Sequence, residues 1–284
     1  MTNAKQNLDS KVINLHYTDR CNYLCRFCHC RFQKTPLVFD DWKTIIDNIS
    51  SSISVKRFNL AGGEPLAGEY LQQMIDYISS KGIGCSIITN GSLLTTDFIA
   101  RNRGKLQMIG ISVDALDYSG NKQIGRLDHQ GRELSKERLV ALAKAIHAAE
   151  IKLKINTVVN AVNCGSDFSS LIRALAPERW KLLRMLHYEH ANDIGRNLMI
   201  SDEEFQTFVN RHLHLHPVVE DSADMVDSYI VVNPQGRILV NSSERFQATE
   251  SLVNHPFLEE FAKVAFNETA YQKRYKVDNI AISA

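Results

Sequence analysis

Cys21, Cys25 and Cys28 stand at the spacing C-x3-C-x2-C and offer three thiols from one short loop. Three thiolates can bind three irons of a four-iron cluster and leave the fourth iron without a protein ligand. Most iron–sulfur clusters are held by four cysteines and only carry electrons, whereas an open iron is a place for chemistry. The competing reading is zinc, whose sites are usually completed by a second cysteine pair or by a downstream pair of histidines. Neither follows, and Cys85 and Cys164 stand alone. Cys30 lies just past the loop. It is read as a spare thiol, because a fourth ligand would close the iron that the chemistry needs open.

The elements that must position this loop follow from periodicity. Six apolar or β-branched runs read as strands: Val12–Thr18, Arg57–Ala61, Cys85–Thr89, Met108–Asp114, Lys152–Val159 and Trp180–Tyr188. Between them lie helical patterns at Asp40–Ser51, Glu69–Ser80, Thr95–Arg103, Ser135–Glu150 and Asp167–Ala176. Such alternation implies βαβ units, a parallel sheet and the α/β class. Further on, Ser201-Asp202-Glu203-Glu204 has the form of a capping box before a helix over Phe205–Leu213. Tyr229–Val232 and Arg237–Val240 flank Asn233-Pro234-Gln235-Gly236, a turn sequence that predicts a hairpin. Pro256–Tyr275 reads as a closing helix.

The segment Cys21-Asn22-Tyr23-Leu24-Cys25-Arg26-Phe27-Cys28 resembles the cysteine loop of radical S-adenosylmethionine (SAM) enzymes. The resemblance implies a [4Fe-4S] cluster on Cys21, Cys25 and Cys28, with SAM chelating its open iron and Phe27 beside the adenine. Six βα units after such a loop resemble the partial (β/α)6 barrel of that superfamily. A full eight-unit barrel takes ~250 residues, and here the pattern stops near Glu189, so an open barrel over residues 1–190 is expected. Residues 191–284 are then a C-terminal extension that closes the barrel and contacts the substrate. Ala61-Gly62-Gly63-Glu64-Pro65 resembles the motif that holds the SAM amino group, with Gly62 and Gly63 allowing close approach and Glu64 facing an ammonium. Thr89, Asn90 and Ser112 end the next two strands at the same rim, where active sites of such barrels gather. Arg126 offers a bidentate fork to the SAM carboxylate; its alternative is an exposed loop arginine.

Strand period brings polar side chains to one face. Asn14, His16 and Thr18 alternate with Ile13, Leu15 and Tyr17, and the polar set is expected to look into the lumen. The fifth strand repeats this with Lys152, Lys154 and Asn156, and the sixth with Arg179 and Lys181. Lysine and arginine are rarely buried without partners. Lys152–Asn160 contains no acid, so a phosphorylated ligand is the economical partner for Lys154, Arg179 and Lys181. The alternative pairs them with distant acids such as Asp224 or Asp227.

Bulk properties agree with an enzyme domain. The chain has 284 residues, 44% hydrophobic, with net charge +1. Nothing global points to nucleic acid or an anionic membrane. The polar start lacks a signal-peptide core, and no run approaches the ~20 apolar residues of a membrane span. Clustered cysteines without an export signal predict a cytoplasmic metal protein.

Several segments together resemble the viperin family of radical SAM enzymes. They include His16-Tyr17-Thr18, Asn59, Thr89-Asn90-Gly91-Ser92-Leu93, Ile124-Gly125-Arg126, Lys154-Ile155-Asn156-Thr157-Val158-Val159-Asn160, Arg179-Trp180-Lys181 and Asp227-Ser228-Tyr229. The likeness spans about residues 11 to 245. Ala61 departs from the family, which has serine there. The membrane helix and terminal tryptophan of animal members find no counterpart, so the chain resembles the shorter prokaryotic antiphage members.

The resemblance implies a nucleotide dehydratase. A 5′-deoxyadenosyl radical would take hydrogen from C4′ of a ribonucleoside triphosphate, with CTP expected first and UTP or GTP next. Loss of the 3′-hydroxyl as water, which takes up one proton, and addition of one electron would give the 3′-deoxy-3′,4′-didehydro nucleotide, a terminator of phage RNA chains. Lys154, Arg179 and Lys181 would clamp the triphosphate. Asn14, His16, Asn59 and Asn156 would shape the ribose and phosphate pocket, with His16 and Tyr229 nearest the chemistry and Tyr229 the proton or hydrogen donor. Base-reading residues are expected around Asn233–Phe246. A flavodoxin or ferredoxin would supply electrons. The alternatives are radical SAM chemistry on another substrate, such as a peptide, and a non-catalytic iron–sulfur or zinc regulator.

Overall fold

A computed structural model describes residues 10–28, 37–187, 192–221, 226–240 and 247–276. Its ten strands form one open sheet in the order β10-β9-β8-β1-β2-β3-β4-β5-β6-β7. The parallel run comprises β1 (Lys11–Thr18), β2 (Val55–Gly62), β3 (Gly84–Thr89), β4 (Leu106–Ser112), β5 (Lys152–Val159), β6 (Arg179–Arg184) and β7 (Val218–Glu220). Helices α1 (Phe39–Ser52), α2 (Leu71–Ser80), α3 (Thr96–Arg101), α4 (Tyr118–Gln123), α5 (Lys136–Ala148) and α6 (Ser169–Leu175) fall in the crossovers, and α7 (Asp202–His212) precedes β7.

The alternation read from sequence is what builds the core. Ile13, Leu15 and Tyr17 of β1, Phe58 and Leu60 of β2, and Leu153 and Ile155 of β5 are buried on the helix side. Helix α1 meets them with Trp42, Ile45, Ile46 and Ile49, one stripe at i, i+3, i+4 and i+7. Buried Trp180 donates its indole N–H to Thr157 Oγ1 at 3.0 Å, so the core loses no hydrogen bond there. The expected capping box is present: Glu204 N–H donates to Ser201 Oγ at 3.1 Å, and Ser201 N–H donates to Glu204 Oε2 at 2.8 Å.

Three expectations are corrected. Strand β6 ends at Arg184, and Tyr188 lies outside the described residues. The parallel pattern does not stop near Glu189: β7 adds to β6, pairing Val218 with Lys181. Three residues are too short a run to show a period. The closing helix is two helices, α8 (Phe257–Phe261) and α9 (Glu268–Lys276), with the second started by Asn267, whose Oδ1 accepts from Ala270 N at 3.0 Å.

The predicted hairpin forms from β8 (Val231–Val232) and β9 (Arg237–Val240), closed by Gly236 N–H to Asn233 O at 2.9 Å. Strand β8 lies parallel to β1, and β10 (Gln247–Ser251) pairs antiparallel with β9. Residues after 191 therefore extend both edges of the same sheet. Among the described residues no helix is long and apolar enough to cross a membrane.

Candidate active site

The cysteine loop leaves the C-terminal end of β1 and is held from four sides. Gly63 N–H donates to Thr18 O at 2.8 Å and Glu64 N–H to Arg20 O at 2.7 Å. A Cβ at Gly62 would collide with the carbonyl oxygen of Thr18, and one at Gly63 with that of Arg20. The two glycines thus admit the loop backbone, and both also line the cavity described below. Gly125 and Gly195 stand against the carbonyls of Leu24 and Arg26 in the same way. Arg26 fastens the loop further, donating to Ile194 O at 2.9 Å and to Asn197 Oδ1 at 2.9 Å. Buried Asn192 donates to Phe27 O at 2.9 Å.

The rim motifs form a second brace. Glu64 is fully buried; it accepts from Thr89 Oγ1 at 2.6 Å, Asn90 N at 2.7 Å and Leu66 N at 3.1 Å. Burial pushes its carboxyl up, opposed by these donors and by Arg126. These bonds tie Glu64 to the ends of β2 and β3 at the rim beside the cysteine loop. Asn90 passes the brace on, donating to Asn22 Oδ1 at 2.9 Å, while Asn22 donates to Ser92 Oγ at 2.8 Å.

Arg126 is not an exposed loop arginine. It is buried, paired with Asp114 at 2.8 Å, and donates to Ser112 O at 2.7 Å. Arg126 also lines the cavity that the three cysteines line. Its Nη1 lies 4.0 Å from Cys25 Sγ, so it sets a positive charge beside that thiol.

One cavity of about 400 Å³ joins the loop to the lumen, within the size range of small-molecule sites. Cys21, Cys25, Cys28 and Phe27 line one end, with Gly62, Gly63, Thr89, Asn90, Ser112 and Arg126. Asn14, His16, Asn59, Lys154, Asn156, Arg179, Lys181 and Tyr229 line the rest. Asn59 donates to Asn14 Oδ1 at 2.9 Å and accepts from Ser86 Oγ at 2.9 Å, a polar chain across β1, β2 and β3. Asn156 is buried, and its Oδ1 has no partner within the described protein.

At the far wall Lys181 is ion-paired with Glu220 and donates to the Tyr229 hydroxyl at 2.8 Å. Tyr229 in turn donates to Glu220 Oε2 at 2.8 Å. Arg274 from α9 pairs with Glu220 at 2.8 Å, donates to Ser228 Oγ at 2.7 Å and stacks 3.5 Å above the Tyr229 ring. The acid that faces Lys181 is therefore Glu220. This is the pairing with a distant acid that the alternative reading expected, made by Glu220 and not by Asp227, while Asp224 lies outside the described residues.

Sequence reasoning missed three members of this wall. Arg57 lines the cavity and has the parity of Asn59 on β2, so the same period-two reading finds it. Glu220 lies on a three-residue strand and Arg274 on a helix of weak amphipathicity, and neither carries a local signal. Of the base-reading segment, residues 241–246 lie outside the described residues, as does Cys30, while Leu239 lines the cavity.

The thiols suit a cluster. Burial pushes Cys25 up to about 12, with Arg126 opposing and Cys28 and Cys21 adding to the rise. Burial likewise raises Cys21. Such thiols ionise when iron binds them. Among the described residues no three His, Cys, Asp or Glu side chains close on a single metal ion. Ligands on three separate irons have no need to.

Comparison with known proteins follows the same direction. Residues 15–192 match the radical SAM superfamily. A protein of Selenomonas ruminantium named S-adenosylmethionine-dependent nucleotide dehydratase is 33% identical over 93% of this chain and 98% of its own. One of the same name from Thermoplasmatales archaeon strain ISO4-H5 is 37% identical over 84% of this chain and 87% of its own. The crystal structure of Streptococcus suis SuiB bound to S-adenosylmethionine shares the fold, with TM-score 0.68 at 14% identity over 94% of this chain and 68% of that one. Radical SAM enzymes use a four-iron cluster and SAM, and the cysteine loop and its rim fit both. The chain belongs to the radical SAM superfamily and, within it, to the viperin-like S-adenosylmethionine-dependent nucleotide dehydratases.

Proposed function

We propose that this chain dehydrates a ribonucleoside triphosphate to its 3′-deoxy-3′,4′-didehydro analogue, with CTP the first candidate and UTP or GTP next. The carrying observation is one cavity that has the three cysteines at one end and Arg57, Lys154, Arg179, Lys181 and Arg274 at the other. Lys181 and Arg274 share the single carboxylate of Glu220, and the cations lining the cavity suit the several negative charges of a triphosphate better than a neutral substrate. The orphan Oδ1 of Asn156 suits a ribose hydroxyl, which can donate to it.

When bound, the cluster and SAM supply a 5′-deoxyadenosyl radical that removes a hydrogen atom from the ribose. Cys21, Cys25 and Cys28 would hold the cluster, and Phe27 with the rim of Gly62, Gly63, Thr89, Asn90 and Ser112 would surround SAM. The protein's own work is positional. The cations fix the phosphate end, so the ribose lies between them and the cysteine loop. His16, Asn14 and Asn59 line that middle stretch. Tyr229 presents a hydroxyl already oriented by Lys181 and Glu220, and is the proposed donor of the final proton or hydrogen. The product lacks a 3′-hydroxyl and would end an RNA chain. A flavodoxin or ferredoxin is the proposed electron source.

The test is incubation of reconstituted protein with SAM, reductant and each nucleotide triphosphate separately. Loss of water from one or more triphosphates supports the reading. SAM cleavage that no nucleotide stimulates, or that a peptide stimulates instead, contradicts it.

A further inference from the structure

The wall around Lys181 contains a carboxylate that the proposed reaction does not use. Glu220 is buried, sits behind Lys181, Tyr229 and Arg274, and is not itself among the residues lining the cavity. Its two oxygens take the Lys181 ammonium, the Arg274 guanidinium and the Tyr229 hydroxyl together. A carboxylate behind a phosphate site lowers its net positive charge, so attraction for phosphate does not explain it.

We propose that Glu220 is a positioning residue that keeps Lys181 in its charged, phosphate-binding form and holds the Tyr229 hydroxyl in register with it. The inference rests on the triphosphate reading above. The groups that face Lys181 are Lys154 from β5, Glu220 from β7, Tyr229 from the segment before β8 and Arg274 from α9. Burial pulls the Lys181 ammonium well below its ordinary range, and Lys154 and Arg274 pull the same way. Glu220 is the anion among them that opposes this. Burial pushes Glu220 up, but the Lys181 and Arg274 charges outweigh it and hold the carboxyl below its usual range. Arginine keeps its charge throughout, so Glu220 stays ionised and Lys181 is the member that depends on its partner. Without Glu220, burial, Lys154 and Arg274 all act against the charge on Lys181, so it sheds its proton at lower pH than in wild type and offers phosphate a neutral amine.

The experiment measures CTP, CMP and cytidine binding by the cluster-loaded protein from about pH 6 to about pH 9, a window set by ordinary histidine and phosphate titration. Wild type, Glu220→Gln, Glu220→Asp and Glu220→Gln/Lys181→Arg are compared, with iron content and melting temperature in parallel. Loss of a charged contact to phosphate predicts CTP affinity roughly 10-fold or more below wild type for Glu220→Gln at the high end. That gap narrows as pH falls and Lys181 regains its proton. Glu220→Asp keeps the wild-type pH profile. Lys181→Arg in the Gln background restores affinity at high pH, because guanidinium remains charged. A Glu220→Gln protein with wild-type CTP affinity and profile overturns the inference, as does failure of Lys181→Arg to rescue it. Should Glu220→Gln not fold, the Asp variant carries the test, and an altered pH profile there overturns it. Wild type that binds cytidine as tightly as CTP overturns the triphosphate reading itself, whatever the variants do.

Discussion

At the scale of single residues, burial decides which charges matter. Lys181 is buried, and a charge there is tolerated because Glu220 and Tyr229 meet it. A charge-assisted contact to phosphate contributes on the order of 1.5–3 kcal/mol. Lys181→Ala should therefore weaken CTP binding roughly 10- to 150-fold. It should leave iron content unchanged, since the cysteines sit on a different loop, and it should spare cytidine binding. Titration of CTP and cytidine with iron measured in parallel checks both statements. The cysteines should separate just as cleanly. Cys25→Ala should lose the cluster and SAM cleavage, and Cys30→Ala should keep both; iron analysis and 5′-deoxyadenosine yield read the outcome. The cysteine spacing and the strand-period cations were legible because each is a local pattern. Glu220 was not, since its partner Lys181 stands on another strand and only the pairing of β6 with β7 brings them together.

At the scale of elements, the cysteine loop has few internal contacts and depends on its neighbours. Four glycines give it room, and Arg26 ties it to the 3-10 turn Asp193–Leu198. Gly195→Ala places a Cβ against the Arg26 carbonyl, so the loop or the turn must shift. The expected result is reduced iron retention with a melting temperature close to wild type, because the turn is peripheral to the main core. Retention equal to wild type would show that the turn yields freely. Helix α7 gives a pH test. Its buried His212 accepts from Phe168 N–H at 2.9 Å, and burial lowers the ring below its usual 6.5. As pH falls the unfolded chain takes up the proton first, so this contribution is present above about pH 6.5 and lost below it. Melting curves of wild type and His212→Gln at about pH 7.5 and about pH 5.5, on either side of the ordinary histidine pKa, should converge at the lower value.

Strand β5 was read from sequence to its exact bounds because polar and apolar residues alternate from Lys152 to Asn156 and β-branched residues carry the run on to Val159. The closing helix was misread because its apolar residues serve two short helices that pack on different partners. At the scale of the whole molecule, the open parallel sheet places cluster loop and cations at opposite ends of one cavity, and residues from both sides complete it. Tyr229 comes from beside β8, which flanks β1 on one side, and Glu220 from the edge strand β7 on the other, and they meet across the lumen. The fold class was legible from alternation alone. This closure was not, because it joins β7 to the segment before β8 and to α9 through a tyrosine, a glutamate and an arginine with no common motif. In the proposed reaction the radical chemistry made at one end is aimed at the ribose of a nucleotide anchored at the other. The most direct measurement uses CTP deuterated at C4′ and mass analysis of the 5′-deoxyadenosine formed in one turnover. One deuterium should pass to 5′-deoxyadenosine, together with formation of a CTP product that has lost water. Unlabelled 5′-deoxyadenosine beside CTP that keeps its deuterium would contradict it.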